Sequence, residues 1–154
     1  MNEKFVADVH LGKLARYLRL LGFDTIYNNT YTNKDLERIA MVEDRILLSR
    51  NIAFAKNFLV KSFITKSEDA FTQLKQLAEH FNLKNQLHPF SRCLLCNGRL
   101  EEVSKEKILD RLEQNTINYY EEFWRCQDCD HIYWKGSHYK RMLNLIEELF
   151  NKAY

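Results

Sequence analysis

The sequence predicts an α/β fold, a mostly parallel sheet with flanking helices, followed by a smaller cysteine-bearing module. Three observations lead there. Short apolar runs alternate with amphipathic helical patterns from the amino terminus to about residue 86, the pattern of a parallel sheet covered on both faces. His88-Pro89 then interrupts the alternation. Beyond it, the four cysteines of the chain fall into two closely spaced pairs. The boundary is expected near residue 88, giving domains over 1–87 and 88–154.

Composition sets the outer limits. With 154 residues, 45% hydrophobic and 29% charged, the chain has the make-up of an ordinary globular protein. That length buries one core and a metal-stapled appendage. Four glycines and one proline leave little material for flexible linkers. A net charge of +2 is too small to argue for a nucleic-acid partner by itself; such a case rests on where the charges sit. No apolar run approaches the roughly 18 residues of a membrane helix, and no signal-peptide core opens the chain. The expectation is a cytoplasmic protein with no membrane contact, in a compartment where paired cysteines favour metal over disulfide.

Element by element, Lys4 to Ala7 reads as a short buried strand ending at Asp8. Leu11, Leu14, Ala15, Leu18 and Leu21 recur at helical spacing, with Gly22 as the C′ residue and Lys13, Arg16 and Arg19 on the opposite face. Thr25 to Tyr27 is a second strand. Asn33 to Glu43 is a second helix, with Leu36, Ile39 and Ala40 inward and Thr32-x-x-Asp35 as a capping box. Arg45 to Ser49 is a strand buried on both faces. A brief helical stretch over Ile52 to Asn57 precedes a strand from Leu59 to Thr65. Ser67 then caps a helix running to about Phe81, with Phe71, Leu74, Leu77, Ala78 and Phe81 inward.

Cys93-x-x-Cys96 and Cys126-x-x-Cys129 are two knuckles about thirty residues apart. Each brings two thiolates onto one ion, and together they complete the tetrahedron of a structural Zn²⁺. Four protein ligands leave no open position for chemistry. The segment between them has room for a strand, a helix capped by Ser104 and a returning strand. His131 and His138 are alternative ligands, with packing or partner contact as their other reading. Four ordinary buried cysteines are the bland alternative to the whole arrangement.

Sites in open α/β sheets form beyond the carboxyl ends of the strands. Asp8, the pair Arg50 and Asn51, and the pair Glu68 and Asp69 follow successive strands, and Asp35 opens a helix near the same rim. Converging carboxylates there would suit Mg²⁺ or Mn²⁺, which favour oxygen ligands and serve phosphodiester hydrolysis. Each residue has a plainer reading. Asp8 would cap the Leu11 helix; Asp35, Glu68 and Asp69 would suit a helix dipole; Lys13, Arg16 and Arg19 would be a solvated face.

The stretch Asp8-x-x-Leu11-Gly12-Lys13-Leu14-Ala15-Arg16-Tyr17-Leu18-Arg19-x-Leu21-Gly22-Phe23-Asp24 resembles the opening of the Mut-seven C-terminal RNase domain family. Arg45-Ile46-Leu47-Leu48-Ser49-Arg50 and Gln73-Leu74 are similar to later parts of it. The two cysteine pairs, with Tyr133-Trp134-x-Gly136-Ser137-His138, resemble its zinc ribbon. The resemblance implies a PIN-like nuclease fold with a C-terminal zinc ribbon, and RNA as the substrate. It makes Asp8 the first-strand acid and Asp35 the second, with Glu68 or Asp69 as an additional acid. Where the family carries Asp after a Thr-Arg pair, this chain has Ser49-Arg50-Asn51. An amide oxygen coordinates Mg²⁺ but brings no negative charge. The resemblance also places Lys13, Arg16, Arg19 and Arg50 where they would hold phosphates. Tyr133, Trp134 and His138 would then meet RNA, with stacking by the two aromatics; a small core beside the zinc is the other role for these rings.

Three functions follow in order: a Mg²⁺- or Mn²⁺-dependent ribonuclease using Asp8, Asp35 and Asn51; an RNA-binding module weakened by Asn51; and a zinc-ribbon adaptor for a protein partner. No GxxxxGK[ST] or GxGxxG pattern is present, which argues against a nucleotide-driven enzyme.

Overall fold

The computed structural model describes residues 2–151. It comprises two compact units, Met1–Asn97 and Gly98–Tyr154. The first contains β1 (Phe5–Ala7), α1 (Gly12–Leu20), β2 (Thr25–Ile26), α2 (Asn33–Val42), β3 (Ile46–Ser49), β4 (Ser62–Ile64) and α3 (Ala70–His80). All three strand pairings are parallel, in the order β2-β1-β3-β4. The chain therefore steps from β1 to β2 on one side, then returns past β1 to place β3 on the other. That reversal puts the carboxyl ends of β1 and β3 side by side, the position where α/β sheets form their crevice.

Helices cover both faces. Val6 and Leu47 pack with Leu36, Ile39 and Ala40 of α2, together with Phe54 and Val60. Side chains alternate along a strand, so Phe5 points the other way. Its ring meets Phe23 at 5.9 Å and Phe81, just beyond α3, at 6.0 Å, both edge-on. Thr32 accepts a hydrogen bond from the Asp35 amide while Asp35 accepts one from the Thr32 amide, so α2 begins with the expected capping box. Gly22 ends α1 at φ +95°, and a Cβ there would stand 2.1 Å from the His88 carbonyl oxygen. Only glycine meets both demands.

Several local expectations are corrected. Asp69, not Ser67, caps α3, its carboxylate accepting from the Thr72 amide. Ser67 instead accepts from the Asp69 amide, two residues too early for the cap. β4 starts at Ser62 rather than Leu59, because Asn57 turns the chain by accepting from the Leu59 amide and leaves Phe58 and Leu59 exposed. Arg19 does not lie on the solvated face. It is 5% exposed, and its guanidinium donates to the carbonyls of Thr25 and Leu94.

The second unit holds an antiparallel sheet of β5 (Leu100–Val103), β6 (Phe123–Cys126) and β7 (Ile132–Tyr133), with α4 (Gln114–Tyr119) and α5 (Ser137–Asn151). Val103, Ile108, Phe123 and Ile132 form its small core. Ser104 introduces only a three-residue 3₁₀ turn and makes no side-chain cap, so the helix expected there is replaced by 3₁₀ turns and the later α4. No helix of the described residues is long and apolar enough to cross a membrane.

Asp24 anchors a polar network in the first unit. Both its oxygens accept from Arg45, at 2.8 and 3.2 Å, and Asn97 donates to it at 2.7 Å. Burial alone would raise its pKa; the bonds from Arg45 and Asn97, with the charges of Arg45 and Arg92, outweigh that and hold it below the usual carboxylate range. A folded-state value below the unfolded one stabilises the fold at pH above the unfolded value, and the gain is lost as pH falls through the folded value. Denaturant unfolding across a pH series is expected to show wild-type stability falling below about pH 4, with a shallower fall in Asp24→Asn. At pH 7, Asp24→Ala should cost about 2–3 kcal/mol, since it removes the two-oxygen partner of the buried Arg45 cation and leaves only Glu43 and backbone carbonyls to it.

Candidate functional site

The rim at the end of the parallel sheet is built from the chain's own hydrogen-bonding demands. Asp8 follows β1 and is 8% exposed. Its Oδ1 accepts from the His10 amide at 3.0 Å and its Oδ2 from the Ser49 hydroxyl at 2.8 Å. Ser49, fully buried at the end of β3, in turn accepts from the Asn51 amide at 2.9 Å. Asp8, Ser49 and Asn51 are thus joined across 43 positions of sequence through one hydroxyl. The α1 helix takes no side-chain cap from Asp8; its N-cap is Leu11. The carboxylate's hydrogen bonds run instead to the turn before α1 and across to β3.

The remaining acidic candidates are not drawn into one ligand cluster with Asp8: among the described residues, the group of three or more close ligand atoms is the cysteine quartet. The Asn51 side-chain oxygen accepts from the Ala53 amide and caps the 3₁₀ turn Ile52–Lys56. Asp35 belongs to the α2 capping box, with Arg38 at 3.7 Å. The Thr32 amide, then the Thr32 side chain, hold its carboxyl below the usual range. Asp69 is lowered first by the Thr72 hydroxyl, then by the Thr72 amide, with smaller contributions from Lys13 and Lys75. Lys13 at the start of α1 and Asp69 at the start of α3 are therefore electrostatic neighbours. Glu68 pairs with Arg50 at 3.3 Å, both well exposed. Lys13 and Arg16 are exposed, whereas the Arg19 cation is enclosed by backbone carbonyls. Ser49 is the residue that motif reading passed over as a participant. Its one signal was a hydroxyl ending an otherwise apolar strand.

The second constellation is thiol. Cys93, Cys96, Cys126 and Cys129 have Sγ atoms all within 4.8 Å of one another. Tetrahedral zinc with Zn–S bonds of about 2.3 Å needs sulfurs about 3.8 Å apart, so this donor set matches the ion. The two knuckles repeat one geometry. Asn97 donates its amide to the Cys93 carbonyl at 2.9 Å, and Asp130 to the Cys126 carbonyl at 3.1 Å. Both residues have positive φ, +73° and +68°. The amides of Asp128 and Cys129 point to the Cys126 sulfur at 3.4 Å, favouring the thiolate. A Cβ on Gly98 would lie 2.7 Å from that sulfur. The histidines stand outside the quartet. The His131 ring packs on Tyr133, and His138 is exposed in the first turn of α5. Trp134 rests against Phe123 at 6.2 Å and remains about one-third exposed, at 36%.

Metal analysis of the purified chain should give one zinc per molecule. Cys126→Ser should weaken its retention against a chelator by more than the roughly 10–100-fold that losing an outer-sphere partner costs.

No match was found among curated proteins or among solved structures. The family model described as the Mut7-C RNAse domain matches residues 3–146 and so takes in the parallel sheet, the Asp8 rim and all four cysteines. With that span covered, the chain belongs to the Mut7-C RNAse domain family.

Proposed function

We propose that this protein is a metal-dependent ribonuclease, hydrolysing RNA phosphodiester bonds at the rim around Asp8. One observation carries the reading. In a member of an RNAse-domain family, a buried carboxylate is held by a buried hydroxyl at the point where the strand order reverses.

The donor set suits an ion shared with the substrate. Among the described residues, the group of three or more close His, Cys, Asp or Glu ligand atoms is the cysteine quartet. Mg²⁺ commonly relies on one or two carboxylates, retained waters and the substrate's phosphates. Asp8 is the fixed carboxylate in this reading and Asp35 the second, with the amide of Asn51 and an acid from Glu68 or Asp69 as further donors. When bound, Mg²⁺ or Mn²⁺ supplies charge stabilisation at the scissile phosphate. Asp8 contributes a carboxylate whose two oxygens are already oriented. Lys13, Arg16 and Arg50 hold phosphates on either side. The Arg50–Glu68 pair is exposed, and such pairs are worth about 0–1 kcal/mol, so a phosphate displaces the carboxylate at small cost. Tyr133, Trp134 and His138 offer stacking and polar contacts to unpaired bases.

Single-turnover cleavage of labelled single-stranded RNA with Mg²⁺ or Mn²⁺ tests this. Asp8→Asn should lower the rate about a hundred-fold or more, the scale of a lost catalytic group, while zinc content stays unchanged. Metal-supplemented wild type that leaves RNA intact, or a variant as fast as wild type, would refute the enzyme reading.

A second reading, an RNA-binding module with a weakened site, is favoured by the neutral Asn51, whose side-chain oxygen caps a turn. Asn51→Asp separates the two. Cleavage that appears only in this variant identifies a weakened site, whereas a modest change in an already active enzyme supports the first reading. RNA affinity should fall with rising salt under either reading.

A further inference from the structure

β2 is a two-residue strand at one edge of the parallel sheet, paired on one side with β1 alone. Edge strands leave backbone groups to be satisfied by something other than a neighbouring strand. Here the Thr25 amide donates to the side-chain oxygen of Asn97 at 2.9 Å. The Thr25 carbonyl accepts from Arg19 Nε at 2.9 Å, and the same guanidinium reaches the Leu94 carbonyl at 3.0 Å. Asn97 also donates to Asp24, the residue before the strand. Leu94 lies inside the first cysteine knuckle and Asn97 directly follows it. The knuckle thus stands where a fifth strand would, offering one side-chain acceptor and, through Arg19, one bridged carbonyl.

Asn97 offers its side-chain amide in this way from a left-handed backbone, φ +73°. That conformation is uncommon for a residue with a side chain and persists where the surroundings over-determine it. Within the knuckle, its amide bond to the Cys93 carbonyl holds it, and a metal held by Cys93 and Cys96 would close the same loop. Gly22 permits the close approach of the chain at His88 that brings this segment back to the sheet.

We propose that the first zinc knuckle is the edge cap of the parallel sheet, with Asn97 and Arg19 as the positioning residues, so that zinc release opens β2. This rests on the reading of the four cysteines as a zinc site. By linkage, any order that the metal imposes on the strand returns as tighter metal retention.

Hydrogen–deuterium exchange of the full chain tests this, zinc-loaded and chelator-stripped, with zinc measured in each sample. On stripping, the amides of Thr25 and Ile26 should exchange about ten-fold faster or more, the scale of one lost backbone hydrogen bond. Those of β3 should change far less. Asn97→Gly keeps the left-handed backbone free of strain; it should accelerate Thr25 with zinc still bound. Unchanged exchange at Thr25 and Ile26 after verified zinc loss overturns the proposal, as does equal acceleration in all four strands. Slow Thr25 exchange in zinc-loaded Asn97→Gly removes Asn97 from the mechanism. A chain that takes up no zinc also overturns it, and metal content alone identifies that cause as failure of the zinc site.

Discussion

A carboxylate withdrawn from water needs donors aimed at it, and the hydrogen bond from Ser49 to Asp8 meets that need from the neighbouring strand. Ser49 lies 41 positions away in sequence. The bond therefore requires β1 and β3 to be adjacent, parallel and in the register that sets Ala7 opposite Leu48. A slip of one residue would turn every side chain of a strand to the other face. It would turn Ser49 to the other face and strand Asp8 without its hydroxyl. The same adjacency arises from the reversal of strand order, so the feature that stabilises the acid also places it in the crevice of the sheet. Stability and the candidate chemistry share one constraint.

The two ligand chemistries of the chain are separated by softness and by completeness. Four thiolates would fill a tetrahedral shell and leave no vacancy for a substrate, so an ion held there would serve structure. The small core of the second unit, Val103, Ile108, Phe123 and Ile132, is of a size that ordinarily depends on a staple. The rim at Asp8 is the opposite case: in the proposed nuclease, a few oxygens already engaged in turns and caps would leave coordination positions for phosphate and water.

Arginines illustrate how position overrides residue type. Arg16 and Arg19 are three residues apart on one helix, yet one is exposed and the other enclosed. Arg19 offsets the cost of a buried charge by donating to the carbonyls of Thr25 and Leu94. Arg45, in the strand-opening position, does the same through Asp24 and Glu43 and the Phe5 carbonyl. Both bind backbone carbonyls at or beside β2, Arg19 that of Thr25 and Arg45 that of Asp24. Of the basic residues read as a phosphate-facing set, Lys13, Arg16 and Arg50 are exposed, Arg50 in a pair with Glu68, and Arg19 is not.

Periodicity and spacing alone were enough for the parallel α/β sheet, the Thr32–Asp35 capping box, the Gly22 stop and the cysteine quartet, because each depends on residues close in sequence or on a fixed ligand chemistry. Local chemistry was insufficient where two polar residues competed for one role, as Ser67 and Asp69 did at the start of α3; the reach of the side chain to the Thr72 amide decided it. Ser49 as the partner of Asp8, Arg19 as a buried clamp and Asn97 as an acceptor for Thr25 were decided by tertiary structure. Each is a polar group whose role is set by a partner at least six positions away in sequence. Hydrogen bonds of that kind depend on which backbone groups the packed sheet leaves open, and only the assembled strands define those groups.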